Sequence, residues 1–316
     1  MPTAWIIAAS LAAAQPVEAK PAVPEVQSGR IEHWSGEAIA NDVGVDDIWI
    51  WLPPSYGSDP DKRYPVLYMH DGQNLFDRRL TNFDKEWGVD EAIAGMAARG
   101  DLREWIVVGL RSPRDRYLAL FPEKLFDYLP EGHLVGLENV TPEDAIRREQ
   151  LLGDEYLAFL VERIKPKVDA TYATLPSMAD TAVMGSSMGG LMSLYAMAEY
   201  SGVFGQAAAV SIHYPLGNPE VEDVPSHVAA STQAWSAYLD TRGMRPGENH
   251  LYMDHGTGTL DAYYPPYAES FDRMMLARGW GPTNYESRRF SNADHDERAW
   301  RERIDIPLGF LDRQDP

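Results

Sequence analysis

The pentapeptide Gly185-Ser186-Ser187-Met188-Gly189 has the G-x-S-x-G form in which a serine hydroxyl becomes a nucleophile. The chemistry needs the glycines as much as the serine. A nucleophilic Ser187 stands on a tight strand-to-helix turn, where side chains two residues before and after it would meet neighbouring backbone. The flanks fit this arrangement. Asp180 to Met184 reads as a short buried strand, and Leu191, Met192, Leu194, Tyr195, Met197 and Ala198 are apolar nearly all round, as in a helix sunk into a core. The competing reading of the same residues is an ordinary helix-entry loop.

A serine nucleophile needs a base and an acid, and behind a strand-turn-helix elbow the expected chain order is serine, acid, histidine. Tyr285 to Phe290 reads as a last strand, and the loop Ser291-Asn292-Ala293-Asp294 delivers His295 just before a helix beginning near Glu297. His295 is the candidate base. Other histidines fail on position: His33 and His70 precede the serine, His133 is in a polar insertion, His213 and His227 flank a Pro-rich loop, and His250 opens a strand. His255 also follows a strand, but it stands before the candidate acid. That acid is Asp261, reached from the strand-like His250 to Asp254 through Gly256-Thr257-Gly258-Thr259 and Leu260; Asp254 and Asp294 are the alternatives.

Acyl transfer also needs two backbone N–H donors for the developing oxyanion, one from the residue after the nucleophile and one from the loop after the third strand. Met188 supplies the first. Tyr64 to Met69 reads as a buried strand running into His70-Asp71-Gly72-Gln73-Asn74, which makes Gln73 the second donor.

Positioning these loops takes a sheet. Ile48–Leu52, Tyr64–Met69, Trp105–Leu110, Asp180–Met184, Gln206–Ile212, Leu251–Asp254 and Tyr285–Phe290 are candidate strands, and Val89–Ala98, Arg147–Ile164, Leu191–Tyr200 and Tyr267–Arg278 candidate helices. The alternation predicts an α/β fold, a mostly parallel central sheet with helices on both faces. Residues 29–316 read as a single domain carrying an insertion around 112–144.

Four pieces of the chain resemble the esterase family of the α/β-hydrolase superfamily, which is similar to feruloyl and acetylxylan esterases, siderophore esterases and mycolyltransferases. They are YPVLYMHDGQNLFD from Tyr64 to Asp77, VMGSSMGG from Val183 to Gly190, DHGTGTLD from Asp254 to Asp261, and DHDERAW from Asp294 to Trp300. The resemblance implies an α/β-hydrolase fold and a serine carboxylic-ester hydrolase with Ser187 as nucleophile. In the family the acid lies a few residues beyond a Gly-Thr pair, which favours Asp261 over Asp254. The family histidine is followed by an acidic and then an aromatic residue, as His295 is by Asp296 or Glu297 and by Trp300. Gln73 and Met188 carry over as oxyanion donors. The 112–144 segment is longer and more charged than a bare connection, so the resemblance reaches the chemistry further than the substrate. Sugar or phenolic acyl esters are the expected substrates. Transfer of the acyl group to an alcohol or sugar, and an idle hydrolase fold that binds carbohydrate, are the other two readings.

The formal net charge of −20 disfavours nucleic acid, because no excess of Lys and Arg exists to displace counterions. With no cysteine, disulfides and thiol catalysis are excluded. The apolar stretch Ala4 to Ala14, small residues after it and a Pro-rich segment to about Ser28 predict a secretory signal within residues 1–28 and hence export. The stretch is too short to span a bilayer, so no stable membrane insertion is expected. Metal-ligand spacings and a complete dinucleotide fingerprint are both missing, and no metal or cofactor is implied. Asp71, Arg114, Arg116 and Tyr117 are candidate substrate contacts: the arginines follow a strand on the edge where the reactive loops would emerge, and aromatic residues of the insertion could stack on sugars or phenolic rings or simply pack the loop.

Overall fold

Side chains alternate between two cores along the central strands, which is what a sheet covered on both faces requires. The protein is seen in a computed structural model that describes residues 23–81, 83–133, 135–136, 141 and 143–313. Most of the expected signal segment, residues 1–22, lies outside them. Eight strands form one sheet among the described residues: β1 (Arg30–Ser35), β2 (Asp47–Leu52), β3 (Val66–Met69), β4 (Ile106–Leu110), β5 (Thr181–Ser186), β6 (Gln206–Val210), β7 (His250–His255) and β8 (Tyr285–Arg289). Their order is β1-β2-β4-β3-β5-β6-β7-β8. Only the β1–β2 and β2–β4 pairings are antiparallel; from β4 to β8 every neighbour runs parallel. This is the α/β-hydrolase fold expected from the sequence.

Val66 and Tyr68 of β3 enter one core, and Leu67 and Met69 the other. Val183 and Met184 of β5 divide in the same way. The helix Met188–Glu199 lies in the first core and buries every residue from Met188 to Ala198, as its all-round apolar sequence predicts. Each buried Leu or Met contributes about 1.5–3 kcal/mol of transfer free energy. On the other face, Val89–Arg99 packs with Asp305–Leu311. Among the described residues no helix is long and apolar enough to cross a membrane.

Several expectations need correction. Arg30–Ser35 is a strand that the sequence reading passed over, because RIEHWS is a half-exposed edge strand without a clean apolar alternation. His227 does not flank a Pro-rich loop; it belongs to a helix over Val224–Leu239. Asp223 caps that helix by accepting from Ser226 N at 3.1 Å, and Pro225 sits in the first turn, where a missing N–H costs nothing. The expected helix Arg147–Ile164 is divided. Arg148–Gln150 is a separate 3-10 turn, and the continuous helical stretch runs from Gly153 through a π-helical segment, Phe159–Ile164, to Thr171. The wide turn ends just before Lys165-Pro166, where proline cannot donate to an α-helical ladder. In the insertion, Leu120, Phe121 and Leu125 are fully buried and extend the first core.

Because β3 to β8 are mutually parallel, the loops that follow them emerge on one edge. His70–Asn74, Ser112–Arg116, Ser187, Ser211–His213, Gly256–Asp261 and His295 all gather there.

Candidate active site

Ser187 stands between the end of β5 and the start of Met188–Glu199 with φ 56° and ψ −121°, a backbone conformation that costs a non-glycine residue about 1–3 kcal/mol. The surroundings hold it there. Its amide donates to Val210 O at 3.0 Å, and its carbonyl accepts from Leu191 N at 3.0 Å and His213 N at 3.3 Å. The flanking glycines are needed for space. A Cβ on Gly185 would lie 2.7 Å from the carbonyl carbon of Gly189, as the sequence argument required; one on Gly189 would press the side chain of His70 at 3.2 Å rather than backbone.

His295 arrives from the loop after β8. Its Nδ1 is 2.6 Å from Asp261 Oδ1, and its amide donates to Thr259 Oγ1 at 2.7 Å. Asp261 is fully buried. Burial opposes its charge, but hydrogen bonds from His295, Ser211 and Gly256 outweigh that and hold its carboxyl below the usual carboxylate range. The structure therefore brings Asp261, not Asp254 or Asp294, to His295. Asp254 instead accepts from Ser211 N, Tyr252 Oη and Arg303. His255 also turns elsewhere, with Nδ1 2.6 Å from Gly256 O.

Gln73 is the second residue of the 3-10 turn Gly72–Asn74, and Met188 the first of its helix. Both amides therefore fall among the first-turn N–H groups that lack an intrahelical acceptor. The turn sits close against β4, since a Cβ on Gly72 would lie 2.5 Å from the carbonyl carbon of Gly109. Asp71, at φ 56°, leads into it. The Gln73 side chain is held at both ends, accepting from Ser112 N at 3.0 Å and donating to Ser112 Oγ at 2.7 Å. Ser112 Oγ in turn donates to Asp71, and Arg116 forks onto the same carboxylate with Nε 2.7 Å from Oδ1 and Nη2 2.6 Å from Oδ2. Burial works against ionising Asp71, yet the Arg116 guanidinium and the Ser112 hydroxyl prevail and depress its carboxyl.

Two cavities meet at Ser187 and Arg116. The one on the His295 side, about 400 Å³, is also lined by Gln73, Lys85, Glu297 and Trp300. The other, about 660 Å³, is lined by Tyr117, Met188, His213, Asn218 and Leu260. Asp71, Arg116 and Tyr117 thus face the site among the candidate contacts. Arg114 does not; it is exposed, 3.6 Å from Asp46. Arg111 is likewise turned away, toward Asp47 and the Trp49 ring. Burial raises the carboxyl of Glu297, which accepts from Asn74 Nδ2 at 3.1 Å. Burial and the nearby His295 lower His213 to about 4.

Sequence reasoning missed Ser112, Ser211 and Arg303 as parts of this edge. None lies in a motif with fixed spacing. The only available signal was position, since Ser112 and Ser211 each follow the end of a parallel strand. A strained serine that lines one cavity with an imidazole anchored on a buried carboxylate, with two first-turn amides on the same sheet edge, has the parts needed for covalent acyl chemistry.

The esterase family model, described as "Putative esterase", matches residues 46–117 and 138–310. The protein YbbA of Bacillus subtilis (strain 168), described as uncharacterized, is 23% identical over 208 residues, a match spanning 66% of this chain and 66% of that relative. Among solved structures, the ferulic acid esterase of Anaeromyces mucronatus in complex with ferulic acid superimposes with a TM-score of 0.57 at 18% identity, covering 94% of this chain and 97% of that one. The ferric enterobactin esterase of Salmonella typhimurium gives 0.58 at 15% identity over 92% of this chain and 60% of that longer one.

Proposed function

This chain belongs to the esterase family, a family of carboxylic ester hydrolases, and from that premise we propose that it cleaves esters through an acyl-enzyme on Ser187. The observation that carries the reading is the meeting of Ser187 and His295 in one cavity, with His295 anchored on buried Asp261. His295 Nε2 takes the Ser187 proton as Oγ attacks the ester carbonyl. The carbonyl oxygen becomes an oxyanion held by the Gln73 and Met188 amides. Collapse expels the alcohol, protonated by His295, and leaves an acyl-serine. Water, deprotonated by the same imidazole, releases the acid and restores the hydroxyl. Asp261 fixes the imidazole tautomer and stabilises its cation.

Sugar or phenolic acyl esters are the substrates the cleft suits. It combines hydrogen-bonding groups, Arg116 and Asn218, with apolar and aromatic walls, Tyr117 and Leu260. Export through the amino-terminal segment would bring the enzyme to such substrates outside the cell. The test is hydrolysis of p-nitrophenyl acetate and methyl ferulate by the wild type beside Ser187→Ala. Turnover of either ester that vanishes in the variant is expected; equal turnover in both proteins would refute the serine mechanism. Added alcohol or sugar appearing in an acylated product would identify transfer instead of hydrolysis.

A further inference from the structure

A second layer of hydrogen bonds lies behind the Asp261–His295 pair. Ser211 follows β6 with φ 41°, left-handed for a non-glycine residue, and is fully buried. Its amide donates to Asp254 Oδ1 at 2.9 Å. Its hydroxyl oxygen accepts from Trp300 Nε1 and Arg303 Nη2, both at 2.9 Å. A hydroxyl has two lone pairs and one hydrogen. With both lone pairs engaged by N–H donors, the hydrogen is directed at the remaining partner, Asp261 Oδ2, 2.7 Å away.

Arg303 is itself fixed. Its Nη2 and Nε reach Asp254 at 3.0 and 3.2 Å, its Nη1 donates to Ala299 O at 3.0 Å, and its guanidinium lies 4.8 Å from the centre of the Phe290 ring. Tyr252 Oη donates to Asp254 at 2.9 Å. The two charged side chains are 5% and 0% exposed. Such a buried pair contributes little net stability compared with well-packed apolar residues, so its presence beside the site asks for another account. Trp300 is equally placed, with its ring edge-on to His295 at 5.2 Å.

We propose that Ser211 is a positioning residue of the hydrolytic site, whose hydroxyl, oriented by Arg303 and Trp300, shares Asp261 Oδ2 with the Gly256 amide and leaves Oδ1 to His295, setting how strongly the acid holds the imidazole proton. The inference rests on the triad reading above. Other charged or titratable groups facing His295 and Asp261 are Asp296 with Lys85, and Glu297, around the smaller cavity; Arg116 with Asp71 across it; and His213 and Tyr264 beside the imidazole. None of these touches the Ser211 hydroxyl, so its removal isolates one donor.

Losing that donor makes the Asp261 carboxylate attract the His295 proton more strongly. The imidazolium gains stability, and the acidic limb of kcat/KM moves to higher pH. Ser211→Ala, assayed with p-nitrophenyl acetate across pH, is expected to raise the limb by about 0.5 units and lower kcat about tenfold, with KM within about twofold. A limb that stays in place, whatever happens to kcat, overturns the inference and leaves Ser211 as packing. Should Ser211→Ala not fold, Trp300→Phe removes one orienting N–H and keeps an aromatic side chain; a smaller shift in the same direction supports the inference, and an unmoved limb overturns it. Ser187→Ala run alongside separates the two readings, because wild-type turnover in that variant defeats the triad itself.

Discussion

The two sides of the serine are built differently. On the acid side, Asp261, Ser211, Asp254 and Arg303 are almost wholly buried, and their hydrogen bonds close on one another. On the oxyanion side, Asp71 is buried but its partner Arg116 is half-exposed and borders both cavities. The acid side is a fixed device whose partners are all protein. The side proposed to hold the oxyanion is rigid where Ser112 holds Gln73 and open where Arg116 borders the two cavities. Losses on the first side should therefore appear in turnover and stability, and losses on the second in substrate dependence as well.

The largest expected effect comes from the base. His295→Ala should lower kcat by roughly six orders of magnitude, with an unfolding temperature near that of the wild type, as read by ester hydrolysis and thermal melts. Next, the two neighbouring carboxylates should separate. Asp261→Asn is expected to reduce kcat about 10⁴-fold while the fold persists. Asp254→Ala leaves Arg303 buried without its partner, and the expected loss is about 3–5 kcal/mol of stability in a denaturant titration. If Asp254→Ala instead abolished turnover while melting like the wild type, the acid assignment would have to move.

On the oxyanion side, Arg116→Ala should raise KM and weaken the protein in a pH-dependent way. Asp71 has a depressed folded-state carboxyl, so its contribution to stability is present above the ordinary carboxylate value near 4 and is lost as pH falls through the lower folded value. The melting-temperature gap between wild type and Arg116→Ala is thus expected to be widest at neutral pH and to narrow in acid. A gap that widens on acidification would contradict the Asp71 pairing. Arg114→Ala should do least, changing stability by less than about 0.5 kcal/mol and turnover by less than about twofold, because its side chain is exposed and only loosely paired with Asp46.

The parallel strands and the elbow were legible because their causes are local. Short apolar runs ended at turn residues, and Gly185 stood where backbone contact leaves no room for a Cβ, with Gly189 close against the His70 side chain. Asp261 was readable from chain order, with the resemblance favouring it over Asp254, and the fold adds that His295 meets it. The helix Val224–Leu239 was hidden by a proline that reads as a loop signal but occupies a first turn. Arg114 and Arg116, two residues apart, looked equivalent in sequence. Only the helical turn Arg116–Ala119 directs one of them to Asp71 and leaves the other in solvent. Ser211, Trp300 and Arg303 come together across 92 residues of chain, a convergence that no local pattern encodes.

The central claim is that Ser187 is a nucleophile made reactive by His295. The most direct measurement is labelling with a fluorophosphonate, followed by mass spectrometry of the intact protein and its peptides. One adduct on the peptide carrying Ser187 is expected in the wild type, with labelling at least about a hundredfold slower in His295→Ala. A folded wild-type protein that stays unlabelled, or that is labelled at another residue, would contradict the account.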